Sequence, residues 1–240
     1  MFSMKIVSWN CRAGFYTQEK YKKIRELDAD VYVICEFNKP SKTDEDYENF
    51  IKHHCYLEFP AKRNARGIAV IAKEGITITD NNWYLEESND FLSVRINDKL
   101  DIVAVWTHGE KNEDYLNHVI AYLGKYRDNF KNSDNLVMCG DFNLDLGIDN
   151  LDNKENFIEI LKEYGYESIY HKLNKVNFGE EPQKTFFTKK NGITTEYFDD
   201  YLFTNPKLVS SFELGSEDKY IGPAGTDTSD HVPLIFEVDL

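Results

Sequence analysis

The sequence predicts an α/β (α+β) fold: two packed mixed sheets, largely antiparallel, with helices outside them, in one domain spanning residues 1–240. Three observations carry that expectation. The apolar runs are short and rich in β-branched residues, while stretches between some of them repeat apolar residues every three or four positions, so strands and helices alternate. Residues 68–106 hold consecutive strand-like runs separated only by turn-formers such as Asn81-Asn82 and Asn97-Asp98, which favours antiparallel neighbours. A chain of 240 residues, 41% hydrophobic and 14% aromatic, is long enough to bury one large core, and it shows no internal repeat or low-complexity linker.

Taken in order, strands are expected at residues 5–9 and 31–35, with a helix over 18–27 between them. A helical pattern over 44–53 precedes strands at 68–72, 92–96 and 102–106. A long pattern over 112–130 leads into the strand at 136–139, and another helix follows over 153–164. Strands at 186–188, 201–204 and 232–238 complete the series, and residues 172–184 and 215–229 read as long loops.

The formal charge of −14 repels polyanions and excludes a tight nonspecific nucleic-acid binder, so any such contact is local or transient. Cys11, Cys35, Cys55 and Cys139 lack paired metal-ligand spacing and read as reduced core residues. No apolar stretch is long enough to cross a membrane and the first residues do not resemble a secretion signal, so a soluble cytoplasmic protein without membrane insertion is expected.

The chemistry gathers where strands stop. Leu136-Val137-Met138-Cys139-Gly140 ends on Asp141-Phe142-Asn143, placing a carboxylate and an amide two positions apart, hence on one face of an extended chain. Gly140 adds no side chain to obstruct an approaching metal ion or phosphate, although Gly-Asp-x-Asn is equally turn chemistry. Ser8-Trp9-Asn10, Cys35-Glu36 and Thr107-His108-Gly109 end further strands on polar groups. Asp199-Asp200-Tyr201 and Ser229-Asp230-His231 stand before two more. Adjacent acids point to opposite faces of a strand, so only one of Asp199 and Asp200 is expected to face a site. Each ending alone is ordinary turn or surface chemistry. Together they describe a site for a hard cation and a phosphate, with carboxylate and amide oxygens suited to Mg²⁺ or Mn²⁺ and no thiolate set for zinc.

In their order and spacing these motifs resemble the endonuclease/exonuclease/phosphatase superfamily across nearly the whole chain. The resemblance implies a four-layer α/β/β/α sandwich with the site at one edge of the paired sheets. It implies Glu36 as principal metal ligand, with Asn10 and Asp230 close to the metal. Asp141 and Asn143 would handle the attacking water and the scissile phosphate, and His108 would be a phosphate donor. His231, oriented by Asp200, would bind phosphate or act as general base, and Asp141 is the other candidate for the base. Two positions depart from the family pattern: Arg12 stands where apurinic endonucleases carry an acid, and Cys35 where glutamine is common. Arg12 can reach a substrate phosphate or make a surface ion pair. Lys62-Arg63-Asn64-Ala65-Arg66 is a local basic cluster, so Arg63 and Arg66 join Arg12 as candidate substrate-binding residues, against the alternative of a solvated loop.

The resulting expectation is a Mg²⁺-dependent phosphodiesterase acting on nucleic acid as an endonuclease or exonuclease, with Mn²⁺ as substitute. The alternative is a phosphatase or phosphodiesterase for a small phosphorylated metabolite, nucleotide or lipid headgroup, which the acidic surface favours. A scaffold that kept the fold and lost catalysis is disfavoured, because none of the motif residues is missing. No protein partner is inferable.

Overall fold

The computed structural model describes residues 3–12, 18–38, 44–58, 66–86, 88–108, 112–147, 151–190, 192–223 and 226–240. The first half runs β1 (Ser3–Asn10), α1 (Gln18–Arg25), β2 (Val31–Phe37), α2 (Glu45–Phe50), β3 (His53–Glu58), β4 (Gly67–Ala72), β5 (Ile78–Asp80), β6 (Phe91–Ile96) and β7 (Leu100–Trp106). The second runs α3 (Asn112–Lys125), α4 (Arg127–Asn132), β8 (Leu136–Asp141), α5 (Lys154–Glu163), β9 (Glu167–Ser168), α6 (Ile169–Asn174), β10 (Phe186–Lys190), β11 (Ile193–Tyr197), β12 (Asp200–Thr204), β13 (Val209–Leu214), α7 (Glu217–Tyr220) and β14 (Leu234–Asp239). One six-stranded sheet has the order β13-β14-β1-β2-β4-β3, the other β5-β6-β7-β8-β12-β9, and β10-β11 form a separate hairpin. Both large sheets are mixed and mostly antiparallel: β1 runs parallel to β2 and β7 to β8, and the other neighbours are antiparallel.

Strand alternation builds the layers. Met4, Ile6, Val31 and Val33 from one sheet meet Ile102, Ala104, Val137, Cys139 and Leu202 from the other in a dry central layer. The intervening residues face outward: Val7, Trp9, Tyr32 and Ile34 pack with Tyr21, Ile24 and Tyr47 of α1 and α2. Val103, Val105, Met138, Tyr201 and Phe203 pack with Leu116, Val119, Phe157 and Leu161 of α3 and α5. Helix, sheet, sheet, helix is thus the expected four-layer sandwich. No helix among the described residues is long and apolar enough to cross a membrane. The four cysteines form no disulfide, and Cys11, Cys35 and Cys139 are buried.

Several element boundaries move, for local reasons. The helix expected over 112–130 breaks at Tyr126, whose ring stacks on Trp83 at 5.6 Å and whose hydroxyl donates to the Tyr84 carbonyl. Tertiary contact there overrides the helical period. Helix α2 stops at Phe50 because His53 already pairs with Ala72 as β3, a polar strand without an apolar run to announce it. The loop expected at 172–184 begins inside α6, and that at 215–229 contains α7. Strand β11 was not expected either, because its exposed residues leave no hydrophobic alternation to read.

Gly140 is needed for a reason other than ligand approach. Its φ is +141°, and a Cβ there would run into the Val105 carbonyl of the parallel neighbour β7.

Candidate active site

Parallel pairing carries the ends of β1 and β2 to one edge of their sheet, and the ends of β7 and β8 to one edge of the other. Antiparallel partners start where those strands stop: Asp200 of β12 is paired with Asp141 of β8, and β14 begins opposite Ser8 of β1. Continuing the inward-facing series past the apolar residues gives Asn10 after Ile6, Asp141 after Cys139, and Asp200 before Leu202. The central layer therefore ends in polar side chains without changing face.

Asp141 is the hub. Its Oδ2 accepts from Asn10 Nδ2 at 2.7 Å and its Oδ1 from the Asn143 backbone N–H at 2.8 Å. Asn143 does not continue the strand: with φ +48° it turns back, donating through Nδ2 to the Thr107 carbonyl at 3.0 Å and to Asp141 Oδ2 at 3.3 Å. Turn and site are the same structure, a residue in the left-handed region closing β8 while holding the carboxylate in place. His231 Nε2 stands 3.9 Å from Asp141 Oδ2, and its Nδ1 pairs with Asp200 Oδ2 at 2.8 Å. Phe186 stacks on the His231 ring at 4.6 Å, and Trp9 Nε1 donates to the His231 carbonyl at 2.8 Å.

Burial sets the charges. It works against the His231 imidazolium, but the carboxylates of Asp200 and Asp141 outweigh it and hold the group up at about 10. Burial lifts Asp141 to about 7, opposed by the charge of His231 and assisted by that of Asp200. Asp199 was expected to face away from any site occupied by Asp200. It lies just before the strand begins and is buried as well, and burial followed by the charge of Asp141 raises its carboxyl well above the ordinary range.

The expected metal acids lie beside this cluster. Glu36 sits at an irregularity in the β2–β4 register, with φ +53°, which swings it out of the strand alternation. Arg66 Nη1 contacts Glu36 Oε2 at 2.8 Å, and Arg12 Nε contacts Asp230 Oδ2 at 3.0 Å. Two of the expected substrate-binding arginines thus pair with two expected metal ligands. Arg63 lies outside the described residues. Glu36, Asp230 and Asn10 carry oxygen atoms of the kind Mg²⁺ or Mn²⁺ takes, and here those of Glu36 and Asp230 pair with the guanidinium groups while Asn10 Oδ1 accepts from the Arg12 N–H at 2.9 Å. Asp141, Asp200 and His231 also offer ligand atoms within 4.8 Å of one another.

Four groups escaped the sequence reading. Asp90, before β6, meets His108 Nδ1 at 3.3 Å and His118 Nδ1 of α3 at 2.6 Å. Asp90 carried a readable signal, an acid at a strand start like Asp200, whereas His118 sits mid-helix with none. Tyr115 of α3 has its hydroxyl raised by burial and then by the charge of Asp141, which puts it in the field of the hub. Lys20 of α1 is fully buried, donates from Nζ to the Cys11 carbonyl, and has its pKa lowered by burial, with Asp230 and Glu36 among the charges acting on it. A lysine in a helix of lysines gave no sign of burial.

The two-sheet sandwich thus carries at one edge a buried cluster of two carboxylates and an imidazole, Asp141, Asp200 and His231. Over residues 7–231 the chain matches the model of the Endonuclease/Exonuclease/phosphatase family, and it belongs to that family. Similar solved structures include the 3' phosphatase NExo from Neisseria bound to product DNA hairpin, at 14% identity and TM-score 0.69, covering 99% of this chain and 100% of that one. An AP endonuclease from Archaeoglobus fulgidus gives 16% identity and TM-score 0.64 over 99% and 100%. The endonuclease domain of TRAS1, a telomere-specific non-LTR retrotransposon, gives 17% identity and TM-score 0.66 over 99% of each chain. At these identities the likeness speaks to the fold. No curated protein sequence matches the chain.

Proposed function

We propose that the protein is a Mg²⁺-dependent phosphodiesterase that hydrolyses nucleic acid, as an endonuclease or exonuclease. The observation that carries this reading is the line Asp200–His231–Asp141, with contacts of 2.8 and 3.9 Å, at the edge shared with Asn10, Glu36 and Asp230. Glu36, Asn10 and Asp230 would hold the cation, which would supply charge neutralisation at the scissile phosphate and the leaving oxygen. Asp141, raised to about 7, takes the proton of the attacking water, because its affinity for a proton suits neutral pH. His231, kept protonated by Asp200, donates to a phosphate oxygen, and Asn143 and His108 complete the cradle. The nucleic-acid reading is supported by the company of the fold, a 3' phosphatase bound to DNA and endonucleases.

A second reading, hydrolysis of a small phosphorylated metabolite, nucleotide or lipid headgroup, is favoured by the net charge of −14, which opposes the approach of a long polyanion. One experiment separates the two. Plasmid, single-stranded DNA, RNA and a panel of small phosphoesters are incubated with and without Mg²⁺. Cleavage of nucleic acid is expected, abolished by EDTA and restored by Mg²⁺ or Mn²⁺, and Glu36→Gln is expected to lose at least about 100-fold in turnover. Cleavage of small esters alone would establish the second reading, and chelator-resistant turnover would remove the metal from both.

A further inference from the structure

We infer that His118 is a positioning residue for His108, acting through Asp90; this rests on the reading of His108 as a phosphate donor. The Asp90 side chain is 3% exposed, and both of its oxygens are engaged by imidazoles. Oδ1 stands 3.3 Å from His108 Nδ1, and Oδ2 stands 2.6 Å from His118 Nδ1. The two contacts come from different places in the fold, the segment just after β7 and the middle of α3.

The backbone of Asp90 is pinned on both sides. Its N–H donates to Ser88 Oγ at 3.1 Å, and its carbonyl accepts from the Trp106 N–H at 2.9 Å. That leaves rotation of the carboxylate as the remaining freedom. A single long contact to His108 does not fix the carboxylate plane. The short contact to His118 does, and it leaves Oδ1 aimed at His108. The His108 ring is set from a second direction by Trp106, edge-on at 3.9 Å. With Nδ1 turned to a carboxylate, the imidazole presents Nε2 on its far side, so the orientation of Asp90 decides where that nitrogen points. Tyr115 lies three residues before His118, and its hydroxyl is raised first by burial and then by the charges of Asp141, Asp114 and Asp90. His118 thereby ties the placement of α3 to the placement of His108.

The test is a double-variant cycle, read as turnover of whichever substrate the panel above identifies. His118→Leu is expected to lower kcat about tenfold, the scale seen when a group orienting a functional histidine is removed. His118→Gln, which keeps a side-chain N–H donor, is expected to stay within about threefold of wild type. Combined with His108→Ala, His118→Leu is expected to cost no more than about twofold beyond His108→Ala alone, because a group that works through His108 has nothing left to position. Fully multiplicative losses would overturn the proposal, and so would wild-type turnover in His118→Leu. Should His118→Leu fail to fold by circular dichroism, Asp90→Asn takes its place in the same cycle, with the same non-additivity expected and the same result overturning it. His108→Ala at wild-type speed is a separate outcome: it would overturn the donor reading of His108 itself.

Discussion

Two carboxylate–histidine assemblies stand at the same edge of the sandwich and are built to different plans. Asp200 and His231 are sealed, with side chains 3% and 6% exposed and a contact of 2.8 Å. Asp90 is equally buried, but its two histidines stand 40% and 29% exposed. In the first assembly several acids converge on one imidazole, and against the cost of burial their charges hold a proton on it. In the second, one acid is divided between two imidazoles that reach toward solvent, so its charge goes into orientation. On the proposed function, the first would manage charge at the reacting phosphate and the second would place a donor near it.

The largest effects are expected from breaking the sealed assembly. His231→Ala should lower turnover at least about 100-fold, the scale for losing a general catalyst. It also leaves Asp141, Asp199 and Asp200 without their shared cation, and breaking a buried pair from one side costs about 3–5 kcal/mol. Thermal unfolding read beside kinetics checks both effects. Asp200→Asn keeps shape and removes the charge that holds the imidazolium, so its turnover should fall nearly as far. Wild-type rates in either pure variant would remove this assembly from the mechanism.

The open assembly should yield less. His108→Ala is expected to lose about 10- to 100-fold in kcat/KM, as for one phosphate donor among several. Its effect on thermal stability should be smaller than that of His231→Ala, because an imidazole that is 40% exposed surrenders little buried contact. A His108→Ala loss equal to that of His231→Ala would erase the distinction between the two plans.

The sequence made one assembly legible and half hid the other. Asn10, Glu36, Asp141, Asp200 and His231 each stand where an apolar run stops or starts, and strand pairing brings such ends to one edge, so the order of elements foretold their meeting. What it did not foretell was how they turn. Glu36 and Asn143 lie in the left-handed region without being glycine, and the register irregularity that swings Glu36 outward depends on the partner strand β4. His118 and Lys20 belong to helices whose periodicity says which face is buried but not which acid or carbonyl waits there. The requirement for Gly140 likewise comes from the carbonyl of Val105, thirty-five residues earlier in the chain. Strand ends are local facts. Partners are tertiary ones.

The finest comparison is in pH. His231 is held near 10 against an ordinary value of 6.5, so the stability it contributes is fully present below about 6.5 and is lost as pH rises through about 10. Asp141 and Asp199 are raised rather than lowered, so the folded state binds their protons more tightly than the unfolded chain does. Their contribution is present at low pH and declines as pH rises above the ordinary value of 3.8, through about 7 for Asp141. All three have the same sign, and the metal-free protein should therefore lose melting temperature between pH 6 and pH 10 in excess of a variant lacking the cluster's charge. Asp199→Asn isolates one part of this. Its carboxyl is pushed up by burial first and by Asp141 second, so replacing it with a neutral isostere should stabilise the metal-free fold at pH 8, with the gain shrinking as pH falls toward the carboxylate range. The same substitution leaves Asp90 and its histidines untouched, so His108→Ala should lower turnover by the same factor in either background. A gain that persisted unchanged at low pH would mean that packing, and not charge, sets the cost of Asp199.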